Sequence, residues 1–106
     1  MATPNIVPRA DSEGGLGTAS KYWAAAYIDA ITTTGNINLP DDAKVIVGTG
    51  GDGEIYSGGL HLTIANVTSN SDILFKGNDG GSTITALTLD MSDAGAATFN
   101  GAVTVG

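Results

Sequence analysis

The 106-residue chain has no cysteine and a net charge of −7, and its four basic residues, Arg9, Lys21, Lys44 and Lys76, are scattered. This excludes a disulfide framework and a thiolate metal site, and argues against nucleic-acid or anionic-membrane partners, which need clustered positive charge. Hydrophobic residues reach 42% only through alanine, aromatics are 6% and glycine numbers 16, so a deep private core is hard to build and assembly with other chains is the expected source of burial.

Residues 1–14 read as an extended arm, because Pro4 and Pro8 fix φ and bias the residues before them away from helix. The opening MATPNIVPRADSE lacks the basic-then-apolar order of a secretory signal. No apolar run approaches the ~20 residues of a membrane span.

Residues 15–36 form an aromatic block that holds the single Trp and two of the three Tyr. Trp23, Tyr27 and Ile31 recur at i, i+4 and i+8, with Ala24, Ala25 and Ala26 among them and Thr18 or Ser20 placed to cap. That spacing predicts one short helix near 18–26. It also suits an extended segment, since all three share one parity. Beyond Ala26, Ile28, Ile31 and the Thr32–Thr34 run favour strand. The block is either a local core under a cap or an inter-chain plug, and both readings can hold.

From Thr32 the pattern is β. Expected strands are 37–39, 43–48, 54–57, 60–67, 72–77, 83–91, 96–99 and 102–105, separated by Gly, Asn and Asp turns. In LHLTI, Leu60, Leu62 and Ile64 share one face and His61 and Thr63 the other. In TITALTLDM the phase shifts: Ile84 and Ala86 have one parity, Leu87, Leu89 and Met91 the next. A bulge or corner near Ala86 is predicted. A short unit, glycine feeding an amphipathic strand, recurs at Gly35, Gly58 and Gly101. Such units bury their apolar face by stacking on copies, within one chain or between chains. AVTVG ends in mid-pattern, and the native chain is expected to continue beyond Gly106.

No residue set demands catalysis. GTGGDGEIY (48–56) partly matches the GGxGxD calcium repeat, but Ile55 stands at the aspartate position and there is one copy. A turn is the expected reading, and no cofactor or metal is expected. Asp41, Asp42, Asp52, Glu54, Asp72, Asp79, Asp90 and Asp93 lie in or beside turns, where Asp is favoured for local backbone bonding. His61 is the only histidine. No serine has a nucleophile-elbow context. The chain is not expected to be an enzyme.

PRADSEGGLGTASKYWAAAYIDAITTTGNI resembles the start of virion fibre proteins of tailed bacteriophages, tail fibres of marine phages especially. The family pattern LG[ST]xxxxWxxxYxxxI appears as Leu16, Gly17, Thr18, Trp23, Tyr27 and Ile31, followed by Gly35 and Ile37. GTGGDGEIYSGGLHLTIANVTSNSDILFKGNDG is similar to a fibre repeat through Ile55, Tyr56, Ile64, Asn66, Ile73 and Phe75. It departs at Ser57-Gly58-Gly59, where the family often has His-Asp-Gly. ALTLDMSDAGAATFNGAVTVG looks like the segment that leads into further TxNGxVTVxG repeats.

Together these stretches cover almost all of the chain from Pro8. The resemblance implies a mainly β, elongated, homotrimeric fibre of prism or β-helix type. The arm, with Pro8 and Arg9, would attach to other virion proteins, and 37–106 would be shaft. Trimer contacts would come from Leu16, Trp23, Tyr27, Ile31, Tyr56, Leu60, Leu62 and Phe75. The protein would act in the virion, after assembly in the host cytoplasm, and support host adsorption. Host surface glycans would be met by parts further toward the C-terminus. A capsid-decorating or head-fibre protein with the same modules, and a calcium-dependent β-roll adhesin, are the alternatives.

Overall fold

A computed structural model describes residues 2–106. The chain divides into two units, Met1–Asn36 and Ile37–Gly106.

In the first unit the described residues form turns and irregular backbone only. The helix expected near 18–26 is absent. Thr18 instead closes a tight turn: its N–H donates to the Lys21 carbonyl at 2.8 Å, and the Lys21 N–H donates to the Thr18 hydroxyl at 3.0 Å. The threonine cap is therefore used, but on a turn that stops at Lys21. A helix of this length is marginal in water unless an apolar face is packed, and Trp23 and Tyr27 are 69% and 97% exposed. Arg9 pairs with Glu13 on the arm.

The second unit holds all of the strands, so the chain is mainly β as expected. Its strands are β1 (Lys44–Val47), β2 (Gly53–Ser57), β3 (Leu62–Asn66), β4 (Ile73–Asp79), β5 (Ser82–Asp90) and β6 (Ala96–Phe99). They form two antiparallel three-stranded sheets, ordered β1-β2-β3 and β4-β5-β6. Both are meanders, which short turns between successive strands favour. The tightest turn joins Asp79 to Ser82 through Gly80 and Gly81, at φ +60° and +100°. Two positive φ values make the primed hairpin turn, whose twist matches its strands. The Asn78 side chain accepts from the Gly81 N–H at 2.8 Å and locks it.

The bulge predicted near Ala86 is present. Phe75 faces Leu87 and Lys76 faces Thr85, so Ala86 is the extra residue of β5. Its carbonyl accepts from the Asn100 N–H at 2.9 Å. In an unbroken strand Ile84 and Leu87 would lie on opposite faces. The added residue puts both on one.

Two expected strands are not formed. Segments 37–39 and 102–105 stay outside both sheets. For the second, the Asn100-Gly101 pair does not make a hairpin turn. That turn needs φ > 0 at both residues, and neither has it. One turn of 3-10 helix, Met91–Asp93, occupies the β5–β6 corner where the strand was expected to run on to Met91. Asp90 caps this turn, and Ala94 follows in the left-handed region at φ +53°.

Candidate assembly surfaces

Alternation and register sort each sheet into two unlike faces. In the first sheet Val45, Ile55 and Ile64 lie side by side across the three strands. Val47 and Leu62 extend the same face. Gly53 sits beside Val47 on it, and the Val47 Cγ2 atom reaches to 2.6 Å from where a Gly53 Cβ would stand. A small residue is therefore needed there for Val47 to lie flat. The result is a largely aliphatic face, with Ser57 and Asn66 at its ends. All five side chains are exposed, Leu62 by 72% and Ile55 by 42%.

The reverse face is mixed, with Ile46 beside a charged pair. Lys44 Nζ donates to Glu54 at 2.8 Å and stands 4.7 Å from the centre of the Tyr56 ring. The hydrogen bond to Glu54 is the main reason that Lys44 holds its proton above the usual lysine range.

In the second sheet the bulge collects Ile73, Phe75, Ile84, Leu87, Leu89, Ala97 and Phe99 on one face. Phe75, Leu87 and Phe99 form one cross-strand row, with the two rings flanking the leucine. Phe75 and Phe99 are each about half exposed. The opposite face carries Lys76, Asn78, Thr83, Thr85, Thr88, Asp90 and Thr98, with Leu74 among them.

A hydrogen-bonded junction joins the sheets. Asp52 binds forward into the 67–72 connection: its carbonyl accepts from the Val67 N–H at 2.7 Å, and its carboxylate from the Thr68 hydroxyl at 2.6 Å. Asn66 Nδ2 donates to the Asp72 carbonyl at 3.1 Å. The Asp72 carboxylate accepts from the Met91 N–H at 3.1 Å, reaching the second sheet. Asp52 and Asp72 are thus clamps between elements. The turn reading of these aspartates was right in place but missed their reach, because their partners lie 16 and 19 residues away.

Asp90 shows the purely local case. It accepts from the Ser92 hydroxyl at 2.6 Å and from the Ser92 and Asp93 N–H groups. The Ser92 hydroxyl bond, seconded by the backbone bonds, holds its pKa below the ordinary 3.8. A depressed carboxylate stabilises the fold above its unfolded pKa and loses that contribution as pH falls through the folded value. The corner is therefore expected to loosen only below pH 3.8. The Ser92 and Asp93 amide shifts should titrate with a midpoint under 3.8. A midpoint at or above it would contradict this capping role.

The residues anticipated as assembly contacts divide among these surfaces. Leu62 lies on the first apolar face and Phe75 on the second. Tyr56 is on the charged face, under Lys44. Leu60 precedes β3 in the turn and is 89% exposed. Leu16 and Trp23 line an open concavity with Gly15, Gly17, Lys21 and Tyr22, whereas Tyr27 and Ile31 lie outside it. Pro8 and Arg9 are exposed on the arm. Val45, Val47, Ile55, Ile64, Leu87 and Phe99 complete the faces and were not anticipated. Their two-residue periodicity was readable, but only the register shows which of them meet.

Among the described residues none is buried, apolar or polar. Among the described residues no group of three or more His, Asp or Glu is placed to hold a metal ion, and no helix is long and apolar enough to cross a membrane. No known protein family, curated protein or solved structure matches the chain.

Proposed function

We propose that this chain is a structural subunit of a homotrimeric virion fibre of a tailed bacteriophage, forming proximal shaft and virion attachment and so supporting host adsorption. The observation that carries the reading is two regular sheets with no buried residue. Sheets are held by apolar burial, since a strand ladder without a covered face is marginal in water. A chain of this kind gains its burial from neighbours. A fibre subunit does so by design, because its core lies between chains. The Leu-Gly-Thr…Trp…Tyr…Ile motif supports the phage assignment, and the proline-containing arm supports attachment through 1–14.

The test is sedimentation equilibrium of the purified chain with and without EDTA. A mass three times the 10.5 kDa of one chain, unchanged by EDTA, is expected. A folded single chain would overturn the reading. Loss of structure in EDTA would favour a calcium-held roll built on the 48–53 turn.

A further inference from the structure

Seven asparagines are present, and only Asn100 is followed by glycine. We infer that Asn100 is a site of covalent self-modification, at which the Gly101 backbone nitrogen attacks the Asn100 side-chain amide and converts the residue to aspartate and isoaspartate. The inference goes beyond the fibre reading and does not depend on it.

The reacting atoms belong to adjacent residues, so the step is intramolecular and gains what proximity gives. Hydroxide or a buffer base takes the Gly101 amide proton. The nitrogen bonds to Asn100 Cγ and closes a five-membered succinimide ring. The Cγ–Nδ2 bond breaks, and the amide nitrogen leaves as ammonia with a proton from water. Water then opens the ring. Attack at Cγ breaks its bond to the Gly101 nitrogen and gives aspartate. Attack at the Asn100 main-chain carbonyl carbon leaves that bond in place and gives isoaspartate. Overall one water is consumed and one ammonia released, with no oxidation or reduction.

The fold leaves this pair free to react. The Asn100 N–H donates to the Ala86 carbonyl at 2.9 Å, one residue beyond the last ladder pair, Leu87 and Phe99. That bond anchors the asparagine, while the chain from Gly101 onward lies outside both sheets. Among the described residues the Gly101 N–H meets no backbone carbonyl, and nothing lies within 4 Å of where a Gly101 Cβ would stand. Glycine has the backbone freedom to turn its nitrogen toward the amide. Both residues are exposed and border an open concavity beside Asp79 and Ala86, so water reaches the ring.

The other asparagines lack this combination. Asn5, Asn36, Asn38 and Asn66 precede Ile6, Ile37, Leu39 and Val67, whose branched side chains crowd the attacking nitrogen. Asn78 lies within β4, and its side chain is held by the Gly81 N–H. Asn70 precedes a small residue, but the Ser71 N–H is spent on the Thr68 carbonyl at 3.2 Å. Conversion at Asn100 adds one negative charge to the −7 of the chain. The isoaspartate form also routes the main chain through Cβ and so re-aims the 102–105 segment as it leaves β6.

The test is peptide mapping by mass spectrometry of the full purified chain, held folded in neutral buffer and sampled over time. The peptide with Asn100 is expected to change from amide to acid about tenfold faster than the peptide with Asn70, a barrier difference of ~1.4 kcal/mol. Both aspartate and isoaspartate should appear. Gly101→Ala should slow the conversion about tenfold and leave the circular dichroism of the sheets unchanged, since a Cβ there meets open space. Equal rates in Gly101→Ala and the parent chain would overturn attack by the Gly101 nitrogen. If that variant fails to fold, the products of the parent chain decide the same point, because aspartate without isoaspartate would overturn the ring. An Asn100 that keeps its amide in the folded chain, whether or not it reacts in urea, would overturn the site.

Discussion

Ile55→Asp should reduce the assembly to single chains. Ile55 is in the central strand of the first sheet, with Val45 on one side and Ile64 on the other. Once that row is covered, a carboxylate there has no donor and no water. Burying an unpaired charge costs several kcal/mol, whether the group stays ionised or takes up a proton. About 4 kcal/mol per contact is roughly a thousandfold in association, and every contact in a closed ring carries it. Thr63→Asp is the matched control. Thr63 is in β3 of the same sheet, on the charged face beside Tyr56. It should leave the mass unchanged. Sedimentation equilibrium reads both variants, with circular dichroism to follow strand content, which should fall in Ile55→Asp and hold in Thr63→Asp. An Ile55→Asp chain that still sediments as three copies would show that this face stays in water.

The second large effect is expected at Trp23. Truncating a fully buried tryptophan costs about 3–5 kcal/mol. In the single chain the ring is 69% exposed, so most of that cost cannot arise from contacts within the chain. Trp23→Ala should therefore leave the fold of the sheets unaltered and weaken the assembly. For a domain near this size each kcal/mol moves the thermal midpoint by roughly 4–8 °C. A fall of more than about 10 °C in the midpoint of the assembled protein is the expected reading. An unchanged midpoint would place the ring in solvent and remove the aromatic block from the contacts.

The two experiments probe different units. Ile55 belongs to Ile37–Gly106 and Trp23 to Met1–Asn36. Loss of assembly with both would mean that neither unit associates by itself. Loss with Ile55→Asp alone would make the sheets the principal contact.

Much of the β unit was legible from local chemistry. The glycine, asparagine and aspartate breaks located six strands to within two residues. The parity change in TITALTLDM located the bulge at Ala86, because side chains alternate strictly and only an added residue can reset the phase. The helix near 18–26 failed for a physical reason. Three alanines and a capping threonine favour a turn of helix, but a short helix persists only when its apolar side is packed, and Trp23 and Tyr27 stay 69% and 97% exposed. Segments 37–39 and 102–105 failed similarly. Their alternation is that of a strand, but a strand is defined by its partner.

Composition and periodicity were thus enough to establish a mainly β, turn-rich chain short of private core, with its strands and its bulge. These depend on each residue's own backbone preferences and on the two-residue period, both local. Which side chains meet across strands, that Tyr56 sits under Lys44 while Ile55 lies between Val45 and Ile64, and that Asp52 holds the 67–68 connection and Asp72 the β5–β6 corner came only from the fold. Those relations join residues distant in sequence, and strand register, which spacing alone does not encode, sets them.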